Sequence, residues 1–473
     1  MQKVLAACDP DSQATAMHSN HVPDWSNLEL AACYNLTLDL NPADGAYTGK
    51  GRIVFPNRTG DALTEIVFRV YPNSKLIFGG ALSVIAARIE GAEVKPEVFL
   101  DDATAVRLPL AKPLAYGETV EIELDFEGRT AKDFGDLPQV YGGFNLDSEH
   151  NVLTLANFYP LLAVWRDGAW RASEVIGLGD AVVSEVALYR VEVTAPKAWQ
   201  VVSTGSTIDV EANDETEVHT IVSGPVREFV VAAGSNFELQ QTEANGVLVR
   251  HWGLPDGQAL WDAVIDKTAD SLSLFGDRFG PYPYAEIDVV AIPMQNASGI
   301  EYPGLFFLRN TLYDPDAEDP FFLGIVVSHE TAHEWWYGVV GSDILNTPWQ
   351  DEALATFSSL VYQEQHEPQY FQGSLSFYKE VAATNANASI GRPVSAFVDQ
   401  PDEYGQIVYL RGSIFFQEMR EELGDEAFFG ALQDYYSESM YSLALPDALL
   451  TAFEERCRCD LSGIYAEWGV RSP

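Results

Sequence analysis

The stretch Ser328-His329-Glu330-Thr331-Ala332-His333-Glu334-Trp335-Trp336-Tyr337-Gly338 constrains this chain more than any other, because it holds an H-E-x-x-H pattern. On a helix, residues four apart stand one turn above the other, so His329 and His333 present two imidazoles on one face toward a single metal ion. Glu330, one position on, is placed to take a proton from a metal-bound water rather than to bind the metal itself. The surrounding residues predict such a helix. Asp319 serves as N-cap, Pro320 as first helical residue, Phe321 to Tyr337 contains no breaker except Gly324, and Gly338 closes the element. Two histidines could equally cap an amphipathic face and bind nothing. A structural zinc takes four protein ligands and a catalytic one three, leaving a position open, so the residues downstream of His333 decide between these readings.

A third ligand is available in Glu352, with eighteen residues between it and His333, inside Thr347-Pro348-Trp349-Gln350-Asp351-Glu352-Ala353-Leu354-Ala355. Thr347 and Gln350 have the spacing of a capping box and Pro348 suits the first helical position, so a second helix is predicted with Glu352 early in it. Helix, loop and helix then fold Glu352 back onto the histidines. H-E-x-x-H, eighteen residues and W-x-x-E-x-x-A together resemble the aminopeptidase N family of zinc gluzincins, in a short bacterial form. The flanking Trp335 and Trp349 agree with it.

Two further segments carry the resemblance. Ala297-Ser298-Gly299-Ile300-Glu301-Tyr302-Pro303-Gly304-Leu305 stands where that family has its G-x-M-E-N substrate strand. The resemblance implies that Glu301 grips the free α-amino group of a peptide, with Gly299 beside it on the substrate strand. Tyr409-Leu410-Arg411-Gly412 matches the family's Y-x-K-G, whose tyrosine hydroxyl stabilises the developing oxyanion. The implied function is a zinc-dependent aminopeptidase with one Zn²⁺ per chain, held by His329, His333 and Glu352, and with Glu330 and Tyr409 as catalytic groups. Its partners would be peptides with a free N-terminus. Departures are local: Tyr302 replaces the family's Asn, Arg411 its Lys, and Ser359 the Glu often found seven residues after the third ligand. In Asn157-Phe158-Tyr159-Pro160-Leu161 the residue that would assist at the amino end of the substrate is not assigned. Two other readings stand beside the first: a zinc endopeptidase with an open site, and a silent scaffold on the same fold. An intact Glu330 argues against the scaffold.

The rest of the chain supplies the frame. It is 473 residues long and 47% hydrophobic, with no apolar run near eighteen residues, which predicts two or three globular domains and no transmembrane segment. A net charge of −42 would repel nucleic acid and anionic membrane surfaces; it could favour cationic peptides, but solubility in an external or salty medium is the better explanation. Residues 1–27 read as a tether. Leu5-Ala6-Ala7-Cys8 matches a bacterial lipobox incompletely, with only four residues before the box, so either a truncated signal with a lipid anchor at Cys8 or an accidental match is open; an exported or envelope location is expected, with a cytoplasmic one left standing. Cys33 reads as alone, and Cys457 and Cys459 as too close in sequence to pair with each other. From 28 to 240, alternation such as Tyr34, Leu36, Leu38, Leu40 and Val120, Ile122, Leu124, Phe126 predicts an antiparallel β-sandwich, which the resemblance would make saddle-like. Residues 241–473 read as a thermolysin-like domain, with a helix at 256–277, a buried strand at 287–292, the substrate edge, the two ligand helices, and helical periodicity to the end.

Overall fold

The computed structural model describes residues 7–23, 31–135, 141–314 and 320–471. Alternation builds the first half. Strand β1 (Ala32–Asn41) buries Tyr34, Leu36 and Leu38 and exposes Thr37 and Asp39, because successive side chains leave opposite faces of a pleated strand. β2 (Ala46–Pro56) returns antiparallel to it through a turn in which Gly45 has φ 69°. β3 (Thr119–Arg129) then buries Val120, Ile122, Leu124 and Phe126 against the same core. With β4 (Ala187–Pro196), these strands lie side by side in the order β4-β1-β2-β3 within an eight-stranded sheet. Smaller sheets of five and four strands pack with it. The expected antiparallel sandwich needs correction: β1 and β4 run parallel, from Ala32↔Ala187 to Asp39↔Thr194, and so does the short pair Ala131–Lys132 with Phe144–Asp147 in the five-stranded sheet. A parallel pair needs a long crossover rather than a hairpin, and the chain between β1 and β4 visits the smaller sheets before returning.

The second half opens on β5 (Glu238–Ala244) and β6 (Val247–Gly253), near the expected boundary at 241. Helix α1 (Trp261–Phe279) comes next; the first residues expected in it, 256–260, belong to a tighter 3-10 turn (Pro255–Leu260) instead. Strands β7 (Glu286–Ile292), β8 (Gly299–Tyr302) and β9 (Leu305–Arg309) complete a five-stranded sheet of order β5-β6-β7-β9-β8, which leaves β8 at an edge. Helices α2 (Pro320–Ala332), α3 (Glu352–His366), α4 (Pro368–Thr384) and α5 (Gly412–Leu423) pack beyond it, succeeded by α6 (Asp425–Ser439) and α7 (Pro446–Cys457). No helix among the described residues is long and apolar enough to cross a membrane.

Helix α2 stops five residues before its expected end. After Ala332 the chain enters a wide irregular turn, Glu334–Val339, with Trp336 and Tyr337 outside helical geometry. Gly338 closes nothing. The cause is tertiary: the Arg227 guanidinium, fully buried, donates to the carbonyls of Tyr337 (2.7 Å) and Val339 (3.2 Å) and so fixes the path of the turn. It also donates to the Ser184 and Ser442 carbonyls, bracketing the β half against the helical half. Helix α3 likewise starts at Glu352 rather than at Pro348. The Thr347 hydroxyl donates to the Gln350 side-chain carbonyl (3.0 Å) instead of capping backbone N–H groups, and Pro348–Gln350 forms a separate 3-10 turn. The N-cap expected at Asp319 lies outside the described residues.

The amino-terminal segment is not a tether where it is described. Gln13 is fully buried and donates to the Tyr189 carbonyl (3.1 Å), and Met17 forms a β-bridge with Tyr284 of the second half. Cys8 is disulfide-bonded to Cys33, with Cα atoms 5.7 Å apart. This overturns both the lipid anchor at Cys8, whose sulfur is committed to another bond, and the isolated Cys33; Leu5 and Ala6 of the lipobox lie outside the described residues. Cys457 and Cys459 also pair, against expectation. Between them Arg458 takes a left-handed conformation (φ 56°), which folds the chain back and brings the two Cα atoms to 5.2 Å.

Candidate active site

Four elements of the second half converge on one cleft of about 460 Å³, and a loop of the first half closes its rim through Tyr141 and Asp180. Helix α2 contributes His329, Glu330 and His333, and α3 contributes Glu352 as its first residue. The edge strand β8 contributes Gly299 and Glu301, and the wide turn Gly405–Arg411 contributes Tyr409. Every residue singled out from the sequence as ligand, base, substrate contact or oxyanion donor lines this cleft.

The two imidazoles meet edge to face, with Nε2 atoms 3.1 Å apart, and Glu352 Oε2 stands 3.3 Å from His329 Nε2 and 3.6 Å from His333 Nε2. A tetrahedral zinc with bonds of about 2.0–2.1 Å to nitrogen or oxygen needs ligand atoms separated by about 3.3–3.4 Å. The donor set is therefore the right size and chemistry for that ion. Glu352 Oε2 is buried and has no hydrogen-bond donor among the described residues, an unpaired acceptor that a cation would satisfy. Glu301, Glu330 and His333 also lie within 4.8 Å of one another. That second grouping shares His333 with the first but lacks the paired imidazoles.

Hydrogen bonds orient the ligands. His333 Nδ1 donates to Asp351 Oδ1 at 2.7 Å, both groups being buried, which leaves Nε2 as the acceptor facing Glu352. Sequence reasoning missed Asp351; its position directly before Glu352 was the available signal. Around His329 the neighbour is Thr356, whose Oγ1 lies 3.5 Å from Nδ1. Ser359, standing where the resemblance expects Glu, donates to the Thr356 carbonyl instead (2.7 Å). The Arg411 guanidinium, in place of the family's Lys, points away and donates to the carbonyls of Ala388, Ala382 and Ala386.

The electrostatics divide the carboxylates. Burial raises the Glu330 carboxyl to about 8 despite His333 beside it, with Glu352 and Asp351 adding to the shift. Burial acts on Glu352 in the same direction, but the two imidazoles facing it, His329 and His333, outweigh burial and hold this group well below the usual range. Burial, then the charge of Asp180, drives Glu301 well above its ordinary value. Burial and Glu352 do the same to Asp180. Gly299 is required by contact: a Cβ there would stand 2.3 Å from Glu330 Oε1, so only glycine lets the edge strand lie against this carboxylate. Tyr409 donates to Glu352 Oε1, and its ring stacks on His329 at 5.9 Å between centroids.

Two imidazoles and a carboxylate on successive helices, with a second glutamate between them and the edge strand, form a group that could hold one metal ion. Residues 263–468 match the Peptidase family M1 domain. Among curated relatives, the chain is 26% identical over 238 residues to endoplasmic reticulum aminopeptidase 1 of Homo sapiens, covering 48% of this chain and 25% of that one. It is 28% identical over 224 residues to aminopeptidase N of Lactococcus lactis, covering 45% of this chain and 26% of the relative. The match thus spans about a quarter of the length of these relatives. Among solved structures, an M1 zinc metallopeptidase of Deinococcus radiodurans superposes with a TM-score of 0.71 at 20% identity, covering 93% of this chain and 94% of that one. That likeness gives the fold: a mostly-sheet first domain followed by a mostly helical second part.

Proposed function

We propose that the protein is a zinc-dependent aminopeptidase that removes the first residue from peptides. The observation carrying this reading is the triangle of His329 Nε2, His333 Nε2 and Glu352 Oε2 with Glu330 and Glu301 in the same cleft. Zinc held by these three residues would supply Lewis acidity, making water a nucleophile near neutral pH and polarising the peptide carbonyl. The chain's own groups do the rest. Glu330, whose second oxygen Oε2 has no hydrogen-bond partner among the described residues, accepts the proton from the attacking water and delivers it to the departing amine. Tyr409 turns its hydroxyl from Glu352 to the carbonyl oxygen as charge develops there. Glu301, on the edge strand, takes the free α-ammonium, so the bond presented for cleavage is the first one. One ionic contact thereby separates an exopeptidase from an endopeptidase.

The location we propose is outside the reducing cytoplasm, because all the cysteines are paired and disulfides persist in oxidising compartments.

The test is hydrolysis of aminoacyl-anilides beside their N-acetylated counterparts, with and without a chelator. Cleavage confined to free amines, lost on chelation and restored by zinc, is expected; cleavage of blocked peptides at internal bonds would transfer the site to an endopeptidase. Glu330→Gln should retain zinc while kcat falls by about 10²–10⁴-fold.

A further inference from the structure

Behind Glu301 a second, smaller cavity of about 50 Å³ opens between the two halves of the molecule. Since one water requires about 10–15 Å³, this is room for a group the size of about three to five waters. Its walls include Ile77, Phe78, Phe144 and Val182, and its polar end is Glu228 and Asn157. Glu228 and Asn157 are 3% and 2% exposed, and the Asn157 amide donates to Glu228 Oε2 at 2.8 Å. The other Glu228 oxygen accepts from the Tyr337 hydroxyl. Among the described residues no lysine, arginine or histidine lines the cavity. The adjacent Arg227 turns away to four backbone carbonyls. Asn157 Oδ1 is buried with no donor among the described residues, an acceptor left over once the amide nitrogen is committed.

An apolar-walled passage ending in a carboxylate and an orphaned carbonyl oxygen has the chemistry of a receptor for an alkyl stem carrying a cation. We propose that this cavity receives the first side chain of the peptide and selects a basic one, lysine or arginine. Preferred substrates would then carry two positive charges at their amino end, the α-ammonium on Glu301 and the side-chain cation between Glu228 and Asn157. The assignment rests on the aminopeptidase reading. It accords with burial having raised Glu228 to about 7, against the hydrogen bonds from Tyr337 and Asn157. The charge of −42 on the whole chain draws such peptides toward the site.

The test pairs each basic substrate with a neutral isostere: lysyl- against norleucyl-anilide and arginyl- against citrullyl-anilide, on the native protein and on Glu228→Gln. The expected result is a native kcat/KM ratio of basic to neutral of at least about tenfold, which Glu228→Gln reduces toward one. A native ratio at or below one, or a ratio that the substitution leaves unchanged, overturns the proposal. Calorimetric binding of lysinamide and norleucinamide to the native protein gives a separate answer should Glu228→Gln not fold. Tighter binding of lysinamide supports the subsite, and equal or weaker binding refutes it. Silence toward all four anilides would refute the aminopeptidase reading, while the calorimetry still judges the subsite.

Discussion

Asp351 and Tyr409 each hold a different member of the candidate ligand set, His333 and Glu352 respectively. Asp351 holds His333 through its Nδ1 and fixes which ring nitrogen faces the ligand triangle. Replacing it with Asn removes a charge-assisted bond without removing a ligand, so Asp351→Asn should weaken zinc binding about 10–100-fold, read by competition with a chromogenic chelator. Tyr409 donates to Oε1 of Glu352, a contact that the proposed mechanism would exchange for the substrate carbonyl. Tyr409→Phe should therefore lower kcat by about 10²–10³-fold with little change in KM, because its hydrogen bond strengthens only as the oxyanion forms. An unaltered kcat would place the oxyanion donor elsewhere in the cleft.

At the level of elements, the contest lies between local pattern and distant partners. The alternation in β1 and β3 translates directly into buried and exposed faces because period two is a property of the strand itself. The H-E-x-x-H spacing and the run to Glu352 are legible for the same reason: one helix turn and one helix-loop-helix return are local geometry. What is not legible is what a remote side chain decides. The end of α2 at Ala332 is set by Arg227, 105 residues earlier in the chain than Ala332, and nothing near Gly338 announces it. The Cys8–Cys33 bond and the Cys457–Cys459 bond are unreadable in the same sense, since each depends on where the backbone goes between the two sulfurs. The role of this arginine can be measured. Arg227→Met keeps the bulk but leaves the carbonyls of Tyr337, Ser184, Val339 and Ser442 without their donor. A loss of about 3–5 kcal/mol in urea unfolding is expected, together with reduced zinc occupancy, because the released turn begins at His333.

Across the whole molecule, pH should act through a residue far from the ligand helices. His251 on β6 is fully buried beside Tyr313, its Nδ1 has no partner among the described residues, and burial lowers its pKa to about 3 from 6.5. Between these values the unfolded chain binds a proton that the folded chain refuses, so this group's contribution to stability falls as pH falls, by up to about 1.4 kcal/mol per unit. Urea midpoints should drop from pH 6.5 toward 4 more steeply in the native protein than in His251→Asn; identical slopes would mean that other groups govern acid sensitivity. The same scale brings back the Arg227 bracket, which ties the β half to the turn after α2 and to the Ser442 carbonyl at one point. Under the proposed function, a joint clamped at this point would set the width of the opening before any client arrives, so that slack chain ends would thread in while a terminus folded flat against its own protein would first have to peel away.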